Sequence, residues 1–207
     1  MRPINEKLKK AILDAGKQEF LTQGFQKASM RNIAKSAGAT TGAVYIYFTD
    51  KQALFHALVG EAAEQLEYRY KQQQLQFEDL EVGRQIENLD QLAKKDQNWL
   101  IEYIYDHFEA FKLICCCSAG TVYEHYKDQL VQIEVEASLI FIEQLQAESG
   151  KQLKIDEELI HIVSNALFSG IFETVIHDMP REKAREYIER LYVFYEAGWF
   201  KLLEIEL

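Results

Sequence analysis

Residues 29–51 read Ser29-Met-Arg-Asn-Ile-Ala-Lys-Ser-Ala-Gly-Ala-Thr-Thr-Gly-Ala-Val-Tyr-Ile-Tyr-Phe-Thr-Asp-Lys51. Ser29 is a good N-cap, because its hydroxyl can accept from an otherwise unpaired N–H in the first turn of a helix. That helix would run through Ser36 and turn Ile33 and Ala34 inward. Gly38 supplies a turn, and Thr40 can cap a second short helix. Thr49 with Gln52 has the spacing of a capping box for a third. Two short helices joined by a tight turn form a helix-turn-helix, whose second helix can enter a DNA major groove.

Working outward, Leu8, Ile12, Gly16 and Phe20 fall at four-residue steps and define one face of a preceding helix. Gly24 ends it, as a glycine just past a last turn does. Gly16, in mid-helix, costs up to about 1 kcal/mol against alanine unless a neighbouring helix must come close. Leu54, Leu58, Ala62, Leu66 and Tyr70 carry the third helix into the seventies, and the polar stretch 74–83 reads as a connection. Ile86, Leu89 and Leu92 mark a short helix and residues 99–114 another. Thr121 and Glu124 form a second capping box, opening a helix that Ser149-Gly150 closes. Asp156 caps a helix to Asp178, and after Pro180 a last one runs from Arg181 to Ile205. No strand pattern of convincing length appears, so the expected fold class is all-α with about nine helices.

Charge is unevenly spread. The chain carries 33 Asp/Glu against 23 Lys/Arg, a net −10. Residues 1–55 alone hold nine basic and four acidic side chains. A basic head on an acidic body excludes a nucleic-acid coat and points to nucleic-acid contact at one end.

Within the head, Thr40, Thr41, Gly42 and Ala43 are small enough to let the backbone approach DNA. A threonine hydroxyl can meet a base edge or phosphate, and an alanine or threonine methyl can meet a thymine methyl. Tyr45 and Tyr47 offer hydroxyls to phosphates and Lys51 offers charge, while Lys27, Ser29 and Arg31 could hold a second phosphate on the other flank. The bland alternative is that the tyrosines are half-buried aromatics of a small core and the lysine a solvated residue at a helix start.

Ile12-Leu13-Asp14-Ala15, Phe20, Gly24-Phe25, Ile33-Ala34, Ala37-Gly38, Gly42, Tyr45-Ile46-Tyr47-Phe48, Lys51 and Leu54 together resemble the TetR family of bacterial transcriptional regulators over residues 8–58. The resemblance implies a three-helix DNA-binding domain over residues 1–50, extending to about 65 with the start of the fourth helix. A helical effector-binding and dimerisation domain would fill 51–207. Thr40, Thr41, Gly42, Ala43, Tyr45, Tyr47 and Lys51 fall on positions that the family uses at the DNA surface, and Phe48 on a core position. Three residues depart from the pattern. Glu19 stands where leucine is common, Gly16 where alanine is common, and Ile46 where a polar or basic residue often makes one more contact.

The function this implies is a sequence-specific transcriptional regulator, a repressor released from a (pseudo)palindromic double-stranded DNA operator by a small-molecule effector. An effector-independent DNA-binding or accessory interaction protein is the second reading. The effector would shift the long fourth helix, shared by head and body, and so lower operator affinity. A homodimer through the last two helices is expected. Ile155, Leu159, Val163, Ala166, Leu167, Gly170, Ile171 and Thr174 share a face on one helix. Ile188, Leu191, Tyr192, Tyr195, Gly198, Trp199 and Leu202 share one on the other.

A pocket is expected between residues 60 and 175, lined by Trp99, Tyr103, Phe108 and Phe111 and by Tyr123, Tyr126, Phe141, Phe168 and Phe172. Glu102, Glu134 or Glu136 would be its acidic partner. Such a lining suits an aromatic or cationic compound. The plain alternative is that these aromatics are core.

The chemistry-bearing residues elsewhere form no motif. Cys115, Cys116 and Cys117 are adjacent, which excludes an ordinary disulfide framework and zinc spacing; inert buried thiols are expected. The five histidines show no ligand spacing on one helix, so neither metal nor cofactor is expected, and no catalytic motif argues for an enzyme. With no apolar signal core and no apolar run of about 18 residues, a cytoplasmic protein without a membrane span is expected.

Overall fold

Two prolines and ten glycines in 207 residues leave long stretches without a helix breaker. The computed structural model describes residues 5–205, and for 88–98 the backbone alone. Among the described residues it has nine helices and no strand. These are α1 (Glu6–Lys27), α2 (Met30–Ser36), α3 (Thr41–Tyr47), α4 (Lys51–Glu78), α5 (Val82–Asp106), α6 (Phe108–Cys117), α7 (Tyr126–Ser149), α8 (Glu157–Ile176) and α9 (Arg181–Leu202). They form two compact units, Met1–Gln65 with His107–Glu124 and Leu66–Asp106 with His125–Leu207.

In the first unit, Ile12, Gly16 and Phe20 are the inner face of α1. A Cβ on Gly16 would lie 3.0 Å from Leu54 Cδ2, so the glycine allows α4 to come close. Gly24 breaks α1 at a φ of 70°, a left-handed value that glycine adopts without a Cβ clash. The chain therefore turns, and Phe25 stacks on Phe20 at 5.8 Å. Phe55 of α4 meets both edge-on, at 5.1 and 5.5 Å. Helix α6 buries Phe111, Leu113 and Ile114. It packs on α1, where Lys17 and Glu109 pair at 2.6 Å.

Several boundaries differ from expectation. The cap of α4 is Asp50, whose Oδ1 accepts from Ala53 N–H at 2.7 Å, and Gln52 instead donates to Gly120 O at 3.1 Å. Residues 74–78 continue α4, because glutamine and glutamate are good helix formers and polarity alone does not end a helix. The two helices expected over 86–114 divide at His107, and α5 is unbroken. No glycine or proline interrupts 84–106. Leu89 and Leu92 have side chains outside the described residues. Thr121 and Glu124 close a turn rather than open a helix. Thr121 Oγ1 donates to Ser118 O at 2.7 Å and accepts from Tyr123 N–H at 3.0 Å, while Glu124 accepts from Gly120 N–H at 2.9 Å. With these groups engaged locally, α7 starts only at Tyr126.

The second unit sets α7 on α8, and α9 on α5 and α8. Gly150, at a φ of 66°, ends α7, and Asp156 Oδ1 caps α8 by accepting from Leu159 N–H at 2.9 Å. By length and composition alone α8 could cross a membrane, with an 18-residue window of mean hydropathy 1.6, a test that a core helix also meets. Its buried side, including Ile160, Phe168, Ile171 and Val175, fits a core helix. A Cβ on Gly170 would lie 2.7 Å from Leu191 Cδ2, so the close approach at this glycine is made within one chain. Helices α5 and α9 are joined by Glu102 with Arg181 and Arg185 and by Arg181 with Asp106 at 2.8 Å, and Tyr105 O–H of α5 donates to Met179 O, in the turn before α9, at 2.9 Å. The hydrogen bond from Arg185 holds the Glu102 carboxyl below its ordinary range.

Candidate nucleic-acid interface

The α2–α3 corner is built from short polar contacts over an apolar floor. Met30, Ile33 and Ala34 of α2 and Val44 of α3 are buried. Ser29 lends no side-chain cap to α2. Glu19 of α1 instead anchors the start of α2, with Oε1 accepting from Ser29 N–H at 3.0 Å and from Asn32 Nδ2 at 3.2 Å. Gly38, at a φ of 65°, turns the chain, and Ala39 N–H returns to Ala34 O at 2.9 Å. Thr40 Oγ1 then accepts from Ala43 N–H at 3.1 Å and starts α3. The hydroxyl proton of Thr40 stays available to a further acceptor.

Three of the expected contact residues already have partners. Lys51 Nζ donates to Gln26 O at 3.0 Å and Ala28 O at 3.1 Å, and lies 4.6 Å from the Phe25 ring centroid. Its ammonium thus closes the carbonyls left open by the break at Gly24, with one of three donors remaining. The Tyr47 hydroxyl accepts from Asn5 N–H at 3.1 Å and donates to Asn5 O at 3.4 Å, tying α3 to the start of α1. Ser29 is half-buried with its N–H on Glu19.

The rest of the set is open. Lys27, Arg31, Thr40 and Gly42 are exposed, Thr41 and Ala43 half-buried, and Tyr45 is 48% exposed. Ile46 is 82% exposed, the most accessible large apolar side chain among the described residues. A Cβ on Gly42 would meet nothing within 4 Å. The fold therefore has no internal need for glycine there, although glycine in a helix costs about 1 kcal/mol against alanine.

The second unit holds a cavity of about 530 Å³, the size of a small-molecule site. Of the expected aromatics it takes Phe141, together with Tyr70, Phe77, Tyr192, Tyr195 and Trp199. Phe111 is fully buried in the first unit, and Tyr123 stacks there on His56 at 6.2 Å. Phe108 also belongs to the first unit. Trp99 and Tyr103 pair at 5.3 Å, with Arg69 over the Trp99 ring at 3.9 Å. Tyr126, Phe168 and Phe172 are buried, Phe168 edge-on to Tyr70.

Of the three acids, Glu102 is engaged by arginines, Glu136 is exposed and accepts from Gln132, and Glu134 lines the cavity. Tyr70 O–H and Gln74 Nε2 both donate to Glu134 Oε2. Burial pushes the Glu134 carboxyl and the Tyr70 phenol upward. No spacing in the sequence links Tyr70 with Glu134, which face each other from different helices. Gln74, Gln76 and Phe77, within what reads as a connection, are lining residues of α4.

The thiols differ among themselves. Burial raises Cys115 to about 12 and also raises Cys117, whereas Cys116 is exposed and so departs from the expectation of three buried groups.

Residues 12–58 match the family model described as "Bacterial regulatory proteins, tetR family". The repressor BepR of Brucella suis is 41% identical over 54 residues, 26% of either chain. The repressor Rv1474c of Mycobacterium tuberculosis is 36% identical over 58 residues, 28% of this chain and 31% of that one. The chain thus spans about a quarter to a third of the length of these curated relatives. Among solved structures, a TetR-like transcriptional regulator from Rhodococcus sp. RHA1 aligns over 95% of this chain and 100% of its own, with a TM-score of 0.56 and 16% identity. That likeness shows the fold alone.

Proposed function

We propose that this chain, whose residues 12–58 belong to the tetR family of bacterial regulatory proteins, is a cytoplasmic, homodimeric DNA-binding transcriptional regulator that represses until a small molecule releases it from its operator. Gly42 carries the reading. A glycine that weakens α3 and serves no neighbour inside the fold makes sense where an outside surface must come close to the helix. Thr40, Thr41, Ala43 and Tyr45 surround it as the groups for base edges and phosphates. Lys27 and Arg31 flank it, and Lys51 and Tyr47 would share their remaining capacity with the DNA.

A two-fold operator needs two heads. The residues read as a dimer face are largely used inside the chain. Leu167, Ile171, Thr174 and Ile188 are buried, and Tyr192, Tyr195 and Trp199 line the cavity. We assign the partner surface instead to the outward side of α8 and α9, where Ile162, Val193 and Phe194 are exposed, Phe194 by 73%. Exposed apolar side chains of this size on adjacent helices fit a subunit interface. For release, the ligand must favour a state that binds DNA less well. Helix α4 gives residues to the core of the first unit and to the cavity of the second, and so is the element that both events involve.

The test is to select duplexes from a random pool with the protein itself, then titrate the winner at several salt concentrations. Affinity should fall linearly in log–log form as phosphate contacts release counterions, and the site should be an inverted repeat. A V193E/F194E double variant should sediment as a monomer and lose most of this affinity. Failure to enrich any sequence, with salt-independent binding, would sink the reading.

A further inference from the structure

We infer that the cavity of the second unit takes an organic cation with an N–H donor on an apolar body, anchored by Glu134 Oε1. This rests on the effector reading above and narrows its chemistry. Both hydrogen bonds to Glu134 end on Oε2. Oε1 has no donor, and it is not among the sealed-in polar atoms that lack a partner. Oε1 therefore keeps some access, and Glu134 is a lining residue of the cavity. An ionised carboxylate enclosed in protein needs both donors and opposite charge. Tyr70 and Gln74 supply two donors and no charge, and among the described residues no arginine, lysine or histidine forms an ion pair with Glu134.

The one arginine of the lining does not fill this role. Arg69 lies over the Trp99 ring at 3.9 Å and forms no ion pair with Glu134. An anionic ligand would meet the Glu134 carboxylate, whereas an ammonium or amidinium meets an open acceptor and several aromatic faces. Phe77, Phe141, Tyr192 and Trp199 offer such faces to the cation and cover for its hydrocarbon. A charge-assisted hydrogen bond to Oε1 supplies the missing partner.

The experiment compares three probes of nearly equal shape, 4-phenylbutylamine, 4-phenylbutanol and 4-phenylbutyric acid, by calorimetry and thermal shift on the full chain at neutral pH. The amine should bind about tenfold or more tighter than the other two, as a charged hydrogen bond in an enclosed site allows. E134Q should erase that preference while still taking the alcohol. Y70F, which leaves the carboxylate in place with one donor fewer, should keep it. If E134Q does not fold, the ranking of the three probes on the native chain together with Y70F decides. Equal binding of all three, tighter binding of the acid, or an amine preference that survives in E134Q overturns the cation assignment but leaves the effector reading standing. Binding of none of the three overturns both.

Discussion

At the corner that carries α3, Glu19, Thr40 and Lys51 each end on a backbone group between residues 26 and 43. At the cavity, Tyr70 and Gln74 reach Glu134 across 64 and 60 residues of chain and leave one of its oxygens without a donor. The corner is a self-satisfied scaffold whose open face sets Thr40 and Gly42 beside the longer Lys27, Arg31, Tyr45 and Ile46. The cavity is the reverse, a space walled by large side chains around an incompletely paired acid. A rigid scaffold suits a surface that must match one fixed groove. An unfinished polar group suits a site that waits for a ligand.

The largest effect that would sharpen this contrast is expected on the scaffold side. K51M keeps the alkyl chain and removes the donors to Gln26 O and Ala28 O, so it should cost about 1–2 kcal/mol in urea unfolding. A purely surface lysine would cost almost nothing, and that result would break the comparison. Next comes G42A. It should stabilise the fold by up to about 1 kcal/mol through helix propensity, and yet weaken DNA binding. A loss of stability would mean that the glycine serves the interior after all.

The smallest effect is expected at the cavity and has the opposite sign to that of K51M. The folded-state pKa of Glu134 is raised, so its ionised form is disfavoured by folding. The penalty appears as pH rises from the ordinary glutamate range, about 4.3, and is complete above the folded value. E134Q should therefore raise the melting temperature of the unliganded protein at pH 8 and lose that advantage towards pH 4. A destabilised E134Q at pH 8 would mean that the carboxylate is fully paired.

The same contrast explains what could be read from residues alone. The corner was legible because its devices are local. Gly38 turns, Thr40 caps three residues ahead, and Gly24 breaks a helix, all within a few positions of the group served. The role of Glu19 is not legible in the sequence, because its partner lies ten residues away, around the break in α1. Lys51 had the spacing of a DNA contact, but nothing nearby showed that two carbonyls already held it. In the body, helices were legible from periodicity and caps, and their faces were not. Tyr192, Tyr195 and Trp199 share a stripe that could meet a second chain, a core or a cavity with equal ease, and only the packing of α4, α7 and α9 chooses among these. Phe111 and Tyr123 show the same limit, since α6 joins the first unit although it follows α5 in the chain.

Ile46 has a consequence that calorimetry can read. On α3 this side chain sits 82% in water. Any surface that docks on α3 and covers it removes apolar area from solvent, which gives association a negative heat-capacity change. Lysine and arginine contacts to phosphate leave their mark in the salt dependence instead. Binding heats collected over a range of temperatures, on the native chain and on I46S, thus separate what the groove's hydrocarbon contributes from what its charge contributes.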